Sequence, residues 1–186
     1  GCEKSDKAEA AVHRLMERFG RGGGFRLIPR QISAVGMNGA CNFGTFAENA
    51  DEIWLISDRR GIAGDFLGVM IKEAGSLGLE TFISRDHLLE PDALYFPEKR
   101  IAVVSDCDAG KATRIINTDR FIDGAGLSEH RAALRFLKKL ENELFSRALS
   151  LFGEIRTCHF AVEDIYRGAM DFGGLEPVFE QITAGL

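Results

Sequence analysis

With 186 residues, 45% of them hydrophobic and 27% charged, the chain is long enough for one sizeable α/β domain with a single core and too short for two. A net charge of −5 and a pI near 5.5 give it no electrostatic footprint for nucleic acid or an anionic membrane. No apolar run approaches the roughly 20 residues of a membrane span and no secretory signal is visible.

Cys2, Cys41, Cys107 and Cys158 are scattered without C-x-x-C spacing, which points to reduced thiols and a cytoplasmic protein. The chain opens Gly1-Cys2 without a methionine. That reads as the remnant of a tag, and further natural sequence is expected upstream.

Residues Ser5–Phe19 carry Ala8, Ala11, Val12, Leu15, Met16 and Phe19 on one helical stripe, with Ser5 as N-cap. Arg21-Gly22-Gly23-Gly24 breaks the helix and reads as a flexible linker, so 1–24 is expected to be an N-terminal helix and tether. Phe25–Val35 has strand composition, and Pro29, which removes a ladder donor, places it at a sheet edge. The Met37-Asn38-Gly39 turn signal makes Gly36–Ala50 a loop followed by a short helical turn.

The stretch from Asp51 to Gly75 organises the rest. Ile53-Trp54-Leu55-Ile56 is the apolar run of a strand buried on both faces. Ser57-Asp58-Arg59-Arg60-Gly61-Ile62-Ala63-Gly64 is a polar, glycine-bearing bend. Phe66, Leu67, Met70, Ile71 and Ala74 follow at helical spacing, ending near Gly75 and Gly78. A strand, a glycine-bearing turn and a helix with free N–H groups at its start form the P-loop arrangement, a site for phosphate or another anion.

The chemistry for ATP hydrolysis is missing from this loop. G-x-x-x-x-G-K-[ST] needs a lysine for the outer phosphates and a hydroxyl for magnesium. With Gly64 as second glycine, Asp65 stands at the lysine position, Phe66 at the hydroxyl position and Arg59 at the first glycine; the other register puts Gly64 at the lysine position and Asp65 at the hydroxyl. A carboxylate there repels a nucleotide, while Arg59 and Arg60 restore some positive charge. Arg59, Arg60, Gly61, Gly64 and Asp65 are therefore the candidate anion-binding residues, against a purely structural turn.

Glu80–Ser84 is a second strand, joined to the first by a right-handed crossover and so parallel to it in one sheet. Arg85, Asp86, His87 and Glu90 follow at its C-terminal end, the edge where open parallel sheets bind ligands, although a lone His87 in a polar loop is also an ordinary surface residue. Arg100–Ser105 is a third parallel strand, followed by Asp106-Cys107-Asp108. Asp106 stands where a Walker-B aspartate holds magnesium. Alternatively, Asp106-x-Asp108 resembles the D-x-D opening of haloacid-dehalogenase-type phosphatases, with Asp106 as nucleophile and Asp108 as general acid, but without a convincing downstream acidic pair for magnesium. The third reading is two aspartates capping a turn before Gly110.

Thr113–Asn117 is a short fourth strand. Ser128 then caps a helix running to Phe152, with Gly153 as the C′ residue where the chain turns back. A second helix carries Ile155, Cys158, Val162, Ile165, Tyr166 and Ala169, and a third begins at Pro177. His130 and His159 sit on these helices without metal-ligand spacing and read as structural or exposed.

Several short pieces together resemble a poorly characterised family of bacterial P-loop ATPase-like proteins with two such domains in tandem. They are Ile32-Ser33-Ala34-Val35 with Gly39, Arg59 with Gly61, Glu90-Pro91-Asp92 with Pro97-Glu98, Ser128-Glu129-His130-Arg131 and Ala169-Met170-Asp171-Phe172. The likeness covers most of 10–185. It implies a three-layer P-loop NTPase-like α/β domain over 25–186, with a helical C-terminal hairpin in 128–186. The family's loop carries glycine, lysine and a hydroxyl residue where this chain has Ala63, Gly64 and Asp65. The resemblance thus implies a degenerate domain without ATP hydrolysis, binding at most an anion, phosphate or nucleotide, and acting with a second P-loop-like domain or subunit. A magnesium-dependent phosphoryl-transfer enzyme using Asp106 and Asp108 is the alternative.

Overall fold

The structure, a computed structural model, describes residues 2–184 except 59, 60, 108, 122, 123 and 172. The chain divides into two compact units, Gly1–Val35 with Ala40–Leu140, and Gly36–Gly39 with Glu141–Leu186.

The first unit is built on six strands: β1 (Arg26–Pro29), β4 (Glu52–Ser57), β5 (Glu80–Arg85), β6 (Pro91–Phe96), β7 (Ile101–Val104) and β8 (Arg114–Asn117). They lie in the order β1-β5-β6-β7-β4-β8. β1 runs parallel to β5, and β4 runs parallel to both β7 and β8, while β6 is antiparallel to its neighbours β5 and β7. The expected mostly parallel α/β sheet is present, with Pro29 on the edge strand, where its missing N–H costs no ladder bond. The expected strand over Phe25–Val35 is split. β1 ends at Pro29, and β2 (Ser33–Gly36) pairs instead with β3 (Gly39–Asn42) in a separate two-stranded sheet, so the loop expected after Gly36 is in part a hairpin. The short helical turn expected there is α2 (Thr45–Glu48).

β6 was not legible as a strand. Its run Ala93-Leu94-Tyr95-Phe96 is wholly buried and fills the gap between β5 and β7. The crossover helix α3 (Ala63–Leu77) therefore packs mainly over β6, carrying the chain from β4 to β5 across two intervening strands.

One face of the sheet is covered by α1 (Cys2–Met16) and α3. Val12, Met16 and Phe19 meet Phe66, Leu67 and Met70 over Trp54, Ile56, Leu94 and Phe96. The helix starts three residues before Ser5, which therefore lies inside it and does not cap it. The opposite face is covered thinly, by Ile32 and by Phe46 of α2, against Tyr95, Ala102 and Val104. Among the described residues this layer is one helical turn and a connecting segment.

The glycine run read as a tether is docked. Gly22 N–H donates to the Leu77 carbonyl at 2.9 Å and Gly24 N–H to the Gly78 carbonyl at 3.0 Å, satisfying carbonyls at the C-terminus of α3. Gly78 itself is left-handed (φ +70°), the usual way a helix stops.

Trp54 anchors the larger core. It is fully buried, 5.5 Å from the Phe19 ring, with the guanidinium groups of Arg18 and Arg114 4.8 and 5.1 Å from its ring centroid. Its Nε1 donates to Glu52 Oε2 at 3.1 Å, and Arg18 donates to the same oxygen. The Trp54 N–H first, then Arg18, hold the Glu52 carboxyl below the usual glutamate range. The folded state thus keeps Glu52 ionised to lower pH than the unfolded chain does. Its stabilising contribution is complete above the ordinary value of about 4.5 and is lost as pH falls below that through the folded value. Melts of wild type and Glu52→Gln across this range should converge on acidification. A difference that stays constant with pH would remove Glu52 from this role.

The second unit contains the C-terminal part of α4 (Gly124–Ala169) and α5 (Leu175–Thr183). The turn expected at Gly153 is absent. α4 runs unbroken for 46 residues and starts before Ser128, so the expected pair of helices flanking Gly153 is one helix. A single interior glycine costs only about 1 kcal/mol, and the strong helix formers around it carry the helix through. α5 has Pro177 in its first turn, as expected. His159 is half exposed and pairs with Glu163 at 3.0 Å; the side chain of His130 lies outside the described residues.

Candidate functional site

Because β1, β4, β5, β7 and β8 run the same way, their C-terminal ends share one edge of the sheet, and antiparallel β6 begins there. That edge gathers the β4–α3 loop, Asp106 beyond β7, Thr118 beyond β8, and the Arg85–Glu90 turn. In open α/β sheets this is the side where ligands bind.

The β4–α3 loop is closed by its own carboxylate. Asp58, one residue past β4, accepts the Gly61 N–H through Oδ1 at 2.9 Å and the Ala63 N–H through Oδ2 at 2.7 Å. Ala63 is the first residue of α3, so Asp58 satisfies one of the helix's free amides and lies at the positive end of its dipole. Thr118 Oγ1 lies 3.2 Å from the Ser57 carbonyl oxygen and 3.5 Å from Asp58 Oδ1, tying this loop to β8. Gly61 has φ +75°, the left-handed conformation that lets the chain double back under the carboxylate.

Of the sequence-derived anion-site residues, Gly61, Gly64 and Asp65 fall on this loop and the first turn of α3, while Arg59 and Arg60 lie outside the described residues. Asp65 is exposed. Gly64 lies under the next loop: a Cβ there would come 3.4 Å from Glu90 Oε2 and 3.6 Å from the Pro91 carbonyl oxygen. Two more carboxylates, Asp65 and Glu90, therefore stand close to the helix start already occupied by Asp58.

Asp106 is exposed at the end of β7, the strand hydrogen-bonded to β4; Asp108 lies outside the described residues. Among the described residues, no group of three or more His, Cys, Asp and Glu side chains is placed to hold a metal ion.

The Arg85–Glu90 turn uses its polar groups on itself. Asp86 Oδ1 accepts the N–H groups of Leu88 and Glu90 at 2.8 and 3.0 Å, and Arg85 donates to the Leu89 carbonyl at 2.7 Å. These bonds shape the β5–β6 connection, where Leu89 is held at φ +66°. His87 is exposed.

Asp58 was the residue sequence reading passed over. An Asp three residues before a glycine in a strand-to-helix bend is a signal for a side chain that bonds back to the loop's own amides.

The fold and this edge define an α/β domain with a mostly parallel six-stranded sheet and a C-terminal helix pair. No protein-family model, no curated protein and no solved structure matches the chain. Among the described residues, no helix is long and apolar enough to cross a membrane.

Proposed function

We propose that this is a P-loop NTPase-like domain whose anion site is closed from within, and that it acts without ATP hydrolysis through a partner domain or subunit. The observation that carries the reading is the Asp58 carboxylate on the N–H groups of Gly61 and Ala63, the groups a phosphate would otherwise use. A nucleotide would have to displace the Asp58 carboxyl group from two hydrogen bonds and meet Glu90 and the exposed Asp65 as it arrived. The strand–loop–helix order and the crossover from β4 to β5 support the P-loop-like part of the reading.

Thermal melts with ATP, with magnesium and with both test this directly. A ligand at a hundred times its Kd stabilises by about 2.7 kcal/mol, roughly 5–10 °C for a chain of this size. No such shift is expected for the wild type. A shift that requires ATP and magnesium together would overturn the closed-site reading. A shift with magnesium that Asp106→Asn abolishes would favour the magnesium-dependent phosphoryl-transfer alternative.

A further inference from the structure

Two polar side-chain atoms at the C-terminal edge of the sheet are buried without a hydrogen-bond partner among the described residues: Ser84 Oγ and Asp92 Oδ1. Ser84 is 0% exposed. The register of β5 and β6 makes them neighbours. Ser84 stands opposite Ala93, and the pairing then slips so that Arg85 stands opposite Pro91, which leaves Asp92 as the extra residue of a bulge in β6. Ser84 thus lies across from the residue that follows Asp92, the distance over which cross-strand side chains interact.

Both belong to the thinly covered face. Along β5, Ile83 joins the larger core and Phe82 the smaller one, so strand alternation puts Ser84 on the side of Phe82, where Ile32 and Ala93 also pack. Asp92 is tied to the same side, because its Oδ2 accepts the hydroxyl of Ser33, the residue after Ile32, at 3.1 Å. The cross-strand pair Phe82 and Tyr95 fills the neighbouring part of this face with two rings 6.0 Å apart, whereas Ser84 and Ala93 are both small.

We infer that a single water molecule is bound here, bridging Ser84 Oγ and Asp92 Oδ1. A buried polar atom left unmatched is costly, and two such atoms on adjacent residues share one remedy. Donor and acceptor counts select its chemistry. The carboxyl oxygen calls for a donor and the serine hydroxyl has a hydrogen to give, so a water that donates to Asp92 and accepts from Ser84 satisfies both. A metal cation or an ammonium group would occupy both oxygens and leave the hydroxyl hydrogen without an acceptor. The bridge also has a positioning role. Glu90 and the Pro91 carbonyl, just before Asp92, are the groups that lie over Gly64 at the start of α3, so fixing the bulge fixes the acidic wall beside the closed loop. The water is held whether or not any nucleotide binds, and the two readings fail separately.

A high-resolution crystal structure of the full chain should show one water at roughly 2.6–3.2 Å from both Ser84 Oγ and Asp92 Oδ1, and Ser84→Ala should lose it. No peak between the two atoms would overturn the bridge, and so would a peak surrounded by about six oxygens at roughly 2.3–2.6 Å, the signature of a cation. Denaturant midpoints give a second readout with a definite sign. With the water in place, Ser84→Ala removes one of its partners and lowers the midpoint. With the hydroxyl buried unmatched, the same change relieves a desolvation cost and raises it. A midpoint that rises or stays the same would therefore also overturn the proposal.

Discussion

Replacing Trp54 with Ala is expected to remove about 3–5 kcal/mol from the stability of the sheet unit, lowering its melting temperature by roughly 6–20 °C. Trp54 is fully buried in the larger core, touching the Phe19 ring that links it to Phe96. Truncation removes the indole's buried surface, leaves a cavity between β4 and the helices above it, and takes away the ring beneath Arg18 and Arg114. Glu52 loses the indole N–H as well, so it keeps only Arg18 as a described hydrogen-bond partner. Trp54→Phe should recover part of the loss by refilling the space without restoring the hydrogen bond. Trp54 is the chain's only tryptophan, so wild-type fluorescence reports this core alone and the Ala variant must be followed by circular dichroism. A loss below about 1 kcal/mol would show that this core does not carry the fold.

Gly22→Ala is the second large effect, and its neighbour provides the control. A Cβ on Gly22 would overlap the Gly78 carbonyl oxygen and stand 3.1 Å from the carbonyl carbon and 3.2 Å from Glu98 Oε2. The obstructing group is backbone at the end of α3, which has no rotamer by which to move aside. Either α3 or the docked glycine run must shift, straining the hydrogen bonds from Gly22 and Gly24. The expected cost is about 1–3 kcal/mol. One position on, a Cβ at Gly23 meets nothing within 4 Å, and its φ is not in the left-handed range. Gly23→Ala should therefore be neutral or stabilise by about 0.4–1 kcal/mol, through loss of freedom in the unfolded chain. Denaturant midpoints of the two variants measure the contrast, and equal midpoints would mean that the run is a tether after all.

The β4–α3 loop is closed by a side chain of its own. In the loop, a short side chain satisfies amides within five residues of itself, so no outside group is needed there.

How much of this could be read from residues alone divides along one physical line. Local pattern by itself determined that β4, β5, β7 and β8 are apolar strands, that Pro29 marks an edge, and that α1 and α3 are amphipathic. Each of these is settled by neighbours within a turn or a strand length, through steric limits on φ or the period of apolar side chains. The tertiary structure alone decided that Pro91–Phe96 enters the sheet between β5 and β7 and runs against them, because strand order rests on partners ten or more residues away. It also decided that Gly22 is an immovable contact while Gly23 is free, since the two glycines are alike until the end of α3 is laid beside them. At the loop, the sequence draws attention to its glycines and to Asp65. The fold turns attention to Asp58, whose carboxylate reaches its amides only because the left-handed Gly61 bends the chain back over it.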